Sequence, residues 1–70
     1  MAYTCKEAIV DCIKASGAQA MGQLRRECRT QATDYSVLVF LNALIELQQD
    51  GLIARDCYWN DLVFDLPGNV

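Results

Sequence analysis

The sequence predicts a single α+β domain, mainly helical, in which three helices are followed by a C-terminal β-hairpin. Three observations carry this. Cys5, Ala8, Ile9, Cys12 and Ile13 recur at helical spacing behind a Thr4–Glu7 pair. The run from Val37 to Leu47 repeats that periodicity and stops at Gly51. Two short apolar runs, Leu52-Ile53-Ala54-Arg55 and Leu62-Val63-Phe64-Asp65-Leu66, then follow with polar residues between them.

Seventy residues allow one domain, residues 1–70, near the lower limit at which a single core offsets chain entropy without a disulfide or a metal. Hydrophobic residues are 53% of the chain and charged residues 21%, a balance that suits a folded core and argues against disorder. A net charge of −3 leans against a free-standing nucleic-acid binder, which usually shows a basic excess, although a local cluster dominates within a Debye length of about 8 Å. No basic segment with a long apolar run opens the sequence, and no stretch approaches about 20 apolar residues. No membrane span is therefore expected, and a cytoplasmic location is. There Cys5, Cys12, Cys28 and Cys57 default to reduced thiols.

Thr4-Cys5-Lys6-Glu7 fits a capping box, so a first helix is expected over residues 5–16, with Gly17 as its stop. Ala18-Gln19-Ala20-Met21 reads as a short strand or an extended link. Leu24 and Cys28 give one apolar stripe to a second helix at 22–30, whose other side carries Arg25, Arg26 and Arg29. The polar connection after it ends in Thr33, Asp34 or Ser36 as cap of the next helix. That third helix, 35–50, is expected to turn Val37, Phe40, Leu41, Leu44 and Leu47 inward. Val39, Asn42, Glu46 and Gln49 fall opposite, with Leu38 and Ile45 widening the apolar arc on the flank. Gly51 is placed for a left-handed cap. The hairpin strands are expected at 52–55 and 62–66, joined by Asp56 through Asp61, and residues 66–70 as a frayed tail.

Three helices and a hairpin, joined at Leu44-Ile45-Glu46-Leu47-Gln48-Gln49-Asp50-Gly51-Leu52-Ile53, resemble the winged helix-turn-helix superfamily. The resemblance spans nearly the whole chain. It implies a third helix that enters the DNA major groove and a hairpin wing, Arg55 through Asp61, that touches the backbone or minor groove. The sequence departs from that pattern in one respect. No Lys or Arg lies between Asp34 and Asp50, so the bidentate arginine contact to guanine is missing from the third helix.

The DNA-contact candidates are Arg25, Arg26 and Arg29 for phosphates, Tyr35 and Ser36 near the start of the third helix, Asn42 and Gln49 for adenine, and Arg55 in the wing. The bland alternative for the arginines is a solvated face paired with Glu27, Asp34 or other carboxylates. Leu38, Ile45, Tyr58 and Trp59 are the protein-contact candidates, because adjacent Tyr and Trp offer large, stiff surfaces; the alternative for Trp59 is a place over the core. Cysteine separations match no usual zinc spacing and the chain holds no histidine, so no metal or cofactor is expected. The thiols are expected to be buried and inert, Cys57 excepted. Without histidine, Ser16, Ser36 and Cys57 have no obvious base, and 70 residues leave little room for a pocket, so neither catalysis nor a small-molecule substrate is expected.

Two functions remain. The first is a small winged-helix DNA-binding transcriptional regulator, with phosphate contacts from Arg25, Arg26 and Arg29, and dimeric through the apolar flank Leu38 and Ile45. The alternative is an acidic protein-interaction module, or a decoy, that binds a partner protein through the third helix and the aromatic wing.

Overall fold

The computed structural model describes residues 3–58 and 61–69. The chain is α+β and mainly helical: helix α1 (Cys5–Ser16), strand β1 (Gln19–Ala20), helices α2 (Met21–Gln31) and α3 (Val37–Gln49), then strands β2 (Ala54–Tyr58) and β3 (Asp61–Asp65) and a single 3-10 turn (Pro67–Asn69). The strands form one antiparallel sheet in the order β1-β3-β2. No helix among the described residues is long and apolar enough to cross a membrane.

The start of α1 is held twice. The Thr4 hydroxyl accepts from the Glu7 amide at 3.3 Å while the Glu7 carboxylate accepts from the Thr4 amide at 3.4 Å, closing the expected box. Asp34, 29 residues away, accepts from the Cys5 amide at 3.0 Å. That amide is one of the first-turn donors a helix cannot satisfy internally, and a carboxylate there also faces the positive end of the helix dipole. Beside it, the Thr33 amide and hydroxyl both donate to the Tyr3 carbonyl, at 2.9 and 3.3 Å. The connection between α2 and α3 is thereby laced to the residues that begin α1.

Asp34 thus caps a different helix from the one its sequence position suggested. Ser36 caps α3, its hydroxyl accepting from the Val39 amide at 3.1 Å, so that helix begins at Val37 rather than at 35. At the other end Gly51 takes φ +74°, its amide donating to the Gln48 carbonyl at 3.1 Å while the Leu52 amide donates to the Leu47 carbonyl at 2.9 Å. These two bonds make a Schellman cap. They hold Leu52 and Ile53 in the turn, which is why β2 begins at Ala54 and not at Leu52.

The β2–β3 register runs from Ala54 opposite Asp65 to Tyr58 opposite Asp61, so much of the expected 56–61 connection is paired strand. Trp59 and Asn60 lie outside the described residues. β1 pairs Gln19 with Phe64 and Ala20 with Val63, which makes β3 the central strand. Leu66 packs against the core, and the 3-10 turn stands where a frayed tail was expected.

All three helices and the sheet converge on one apolar cluster, in which Ile9, Ile13, Leu24, Phe40 and Phe64 are buried. No described side chain in it is charged or polar. The inward face of α3 is rotated from the one its spacing suggested: Val37 and Leu41 are exposed, whereas Ala43 is buried and Val39 packs on the core. The reason is that α3 lies against α1, which draws in the side carrying Val39 and Ala43 and turns out the side carrying Leu41.

Phe40→Ala removes the largest fully buried side chain and is expected to cost about 3–5 kcal/mol, read as a shift of the urea midpoint by circular dichroism. Asp34→Ala is expected to cost about 1–2 kcal/mol through the lost cap on α1. An unchanged midpoint in either variant contradicts the packing or the cap.

Candidate functional site

The outward surface of α3 is apolar. Leu38 is 69% and Ile45 51% exposed, far beyond what a core-facing position shows, and Leu41 between them is also exposed. Spacings of three and four residues place the three side chains in one ridge along the helix. The ridge borders a groove of about 240 Å³ between α3 and the hairpin. Met21 from the first turn of α2, Leu62 and Phe64 from β3, and Arg55 from β2 complete its walls. Leu62 and Phe64 face the same way because side chains two apart on a strand share a face.

Leu38 and Ile45 were legible in the sequence as an apolar flank; Met21, Leu41 and Leu62 were not. The widened apolar arc of Leu38 and Ile45 was read from the spacing, but Leu41, three residues from one and four from the other, was assigned to the core face instead of to this ridge. Of Tyr58 only the backbone, in β2, is described, and Trp59 lies outside the described residues.

Arg25, Arg26 and Arg29 are exposed and line a separate concave surface with Gly22 and Gln23. The carboxylates proposed to neutralise them are engaged elsewhere. Glu27 accepts from the Gln31 side-chain amide at 2.7 Å, and Asp34 accepts from the Cys5 amide. Lys6 pairs with Glu46 at 2.6 Å, an ion pair that leaves the arginines out. Arg29 lies in the last turn of α2, where a cation also complements the negative end of the helix dipole.

The other DNA-contact candidates are scattered relative to that surface. Tyr35 is half-buried and tilts against Phe40, with ring centroids 6.5 Å apart, while the Ser36 hydroxyl is used as a cap. Asn42 lies on the side of α3 that faces α1, beside Lys6 and Asp34. Gln49 is exposed at the end of α3. Arg55 lines the apolar groove instead of the arginine surface. The structure brings together three arginines and, elsewhere, one apolar ridge; it does not assemble the polar set into one face.

Cys5 and Cys28 are buried and Cys12 is half-buried. The Cys28 thiol donates to the Cys5 carbonyl at 3.7 Å. Burial, reinforced by Cys5, pushes the Cys28 thiol from an ordinary 9.0 up to about 12, and burial raises Cys5 and Cys12 as well. A thiol held protonated in an apolar core is a poor nucleophile. Among the described residues no group of three or more His, Cys, Asp or Glu side chains is placed to hold a metal ion. Of Cys57 only the backbone is described.

The raised thiol links stability to pH. The unfolded chain releases the Cys28 proton near 9.0 and the folded chain near 12, so this contribution is whole below pH 9 and is lost as pH rises from there toward 12. One pH unit past 9 costs about 1.4 kcal/mol, which for a domain of this size is a Tm loss of roughly 6–11 °C. Thermal melts at pH 8 and pH 10 are expected to show that loss, and Cys28→Ala to reduce it; equal slopes contradict the burial effect.

No protein-family model, curated protein or solved structure matches the chain.

Proposed function

We propose that this chain is a protein-interaction domain of the winged-helix type, which docks a partner polypeptide on the apolar ridge of α3 and the adjoining hairpin. The observation that carries the reading is the ridge itself: Leu38, Leu41 and Ile45 stand exposed on a helix that bears no cation. A helix presented to the DNA major groove meets phosphate on both sides and base edges between them, and it gains most from basic and amide side chains. A ridge of leucine and isoleucine gains most from an apolar partner surface. The order helix, strand, helix, helix, hairpin supports the winged-helix assignment. The domain acts by binding and not by catalysis, and in this reading Arg55 supplies a polar contact at the groove's edge.

The second reading is a DNA-binding regulator, and the arginine surface favours it. Arg25, Arg26 and Arg29 line one concave face of α2, and the ion pair of Lys6 with Glu46 leaves them out. Neutralising three phosphates gives log K a slope of about −3 against log salt.

Anisotropy of a labelled random-sequence duplex at low and physiological salt separates the readings. The interaction domain is expected to leave the duplex free even at low salt. Micromolar binding that falls steeply with salt, and is lost in Arg25→Ala with Arg29→Ala, overturns the first reading in favour of the second. A photoreactive benzophenone side chain at position 38 is expected to give protein adducts in cells, whereas one at the exposed Ser16 is not; sedimentation shows whether the adduct is with a second copy.

A further inference from the structure

A second groove, of about 370 Å³, runs between α1 and the C-terminal end of α3 and shares no lining residue with the one beside the α3 ridge. Tyr3, Val10, Leu47 and Leu52 supply its apolar lining. Leu52, at 52% exposure, is the most exposed of the four. The Schellman cap fixes this leucine there, since its amide is bonded to the Leu47 carbonyl.

The rim is acidic. Glu7, Asp11 and Asp50 line it, and the only cation among the lining residues, Lys6, is bonded to Glu46 at 2.6 Å. Asp11 and Glu7 push the Tyr3 phenol above its ordinary value, the Asp11 carboxylate acting first through a hydrogen bond. The C-terminal end of α3 adds its own negative partial charge. The other two long helices carry a cation in the last turn, Lys14 in α1 and Arg29 in α2, while α3 carries none and is followed at once by Asp50. An acid at that position works against the helix dipole, so the negative potential is maintained at a local cost to the helix.

We propose that this groove docks a cationic segment of another polypeptide, one in which Lys or Arg side chains flank a leucine-sized apolar residue. Charge complementarity selects that occupant: the apolar residue covers Leu52 and Val10 while its basic neighbours meet Asp11, Asp50 and Glu7. An acidic segment meets like charge along the rim, and an uncharged one gains nothing from the negative potential there. This surface is distinct from the α3 ridge, so either one can fail without the other.

The test uses the full chain labelled with 15N, titrated with a ten-residue peptide of alternating leucine and arginine, and with the same peptide carrying glutamate in place of arginine. Amide shifts are expected over Lys6–Asp11 and Leu47–Leu52, with affinity falling at least threefold when the Debye length shrinks from about 30 Å to about 8 Å. Asp11→Asn with Asp50→Asn is expected to weaken binding at least fivefold. Its amide spectrum reports that the fold is kept, since neither substitution removes a core side chain or the Glu7 cap. Equal shifts with the glutamate peptide, shifts centred on Leu38 and Ile45, unchanged affinity in the double variant, or no shift at ~1 mM arginine peptide each overturn the proposal.

Discussion

Phe40 lies at 0% exposure in a cluster to which α1, α2, α3 and the sheet all contribute, and a chain of 70 residues has little apolar area from which to build a second. Burying a side chain of this kind is worth about 1.5–3 kcal/mol, a large share of the stability of a small domain. The other elements are placed by what this core requires. α1 supplies Ile9 and Ile13, α2 only Leu24 and Cys28, and the sheet Phe64. The polar bonds from Asp34 and Thr33 to the start of α1 then fix the angle at which the helices meet.

That economy gives the exposed apolar residues their meaning. A short chain that needs core area nevertheless leaves Val37, Leu38, Ile45 and Leu52 half or more exposed. Single exposed leucines are ordinary, but these are grouped, three of them on α3 and one at its capped end. α3 therefore serves two demands at once. Phe40, Ala43, Leu44 and Leu47, with Val39 packed beside them, hold the fold, and the side carrying Leu38, Leu41 and Ile45 is left to solvent.

The helices were legible in the sequence where one residue type leaves the backbone a single good solution. Thr4 with Glu7 marked the start of α1, and Gly51 marked the end of α3, because a capping box and a positive φ have few substitutes. The rotation of α3 was not legible. Its apolar residues cover so much of the helix that periodicity fits several orientations, and only contact with α1 decides that Ala43 goes in and Leu41 out. Asp34 was misplaced for a similar reason: a cap is usually local, and its bond to Cys5 spans 29 residues. The candidate surfaces followed the same divide. Leu38 and Ile45 are local features of one helix, whereas the grooves require α1, α3 and β3 to be brought together first.

Charge is segregated in a way that net charge conceals. The arginines of α2 face one concave surface, the carboxylates Glu7, Asp11 and Asp50 another, and the α3 ridge of Leu38, Leu41 and Ile45 carries neither sign, with Arg55 at the edge of the groove beside it. At physiological ionic strength exposed charges act over about 8 Å, so each surface presents its own potential to a partner and the total of −3 describes none of them. Lys6 shows the arrangement at the scale of a single residue. It sits among acids, and its bond to Glu46 matches one of them, while the carboxylates across the groove remain to set the sign of the field. An apolar ridge, a basic face and an acidic groove on one small core are three different chemical invitations, and α3 separates the first from the third by turning its charged residue, Glu46, toward α1 and its leucines away from it.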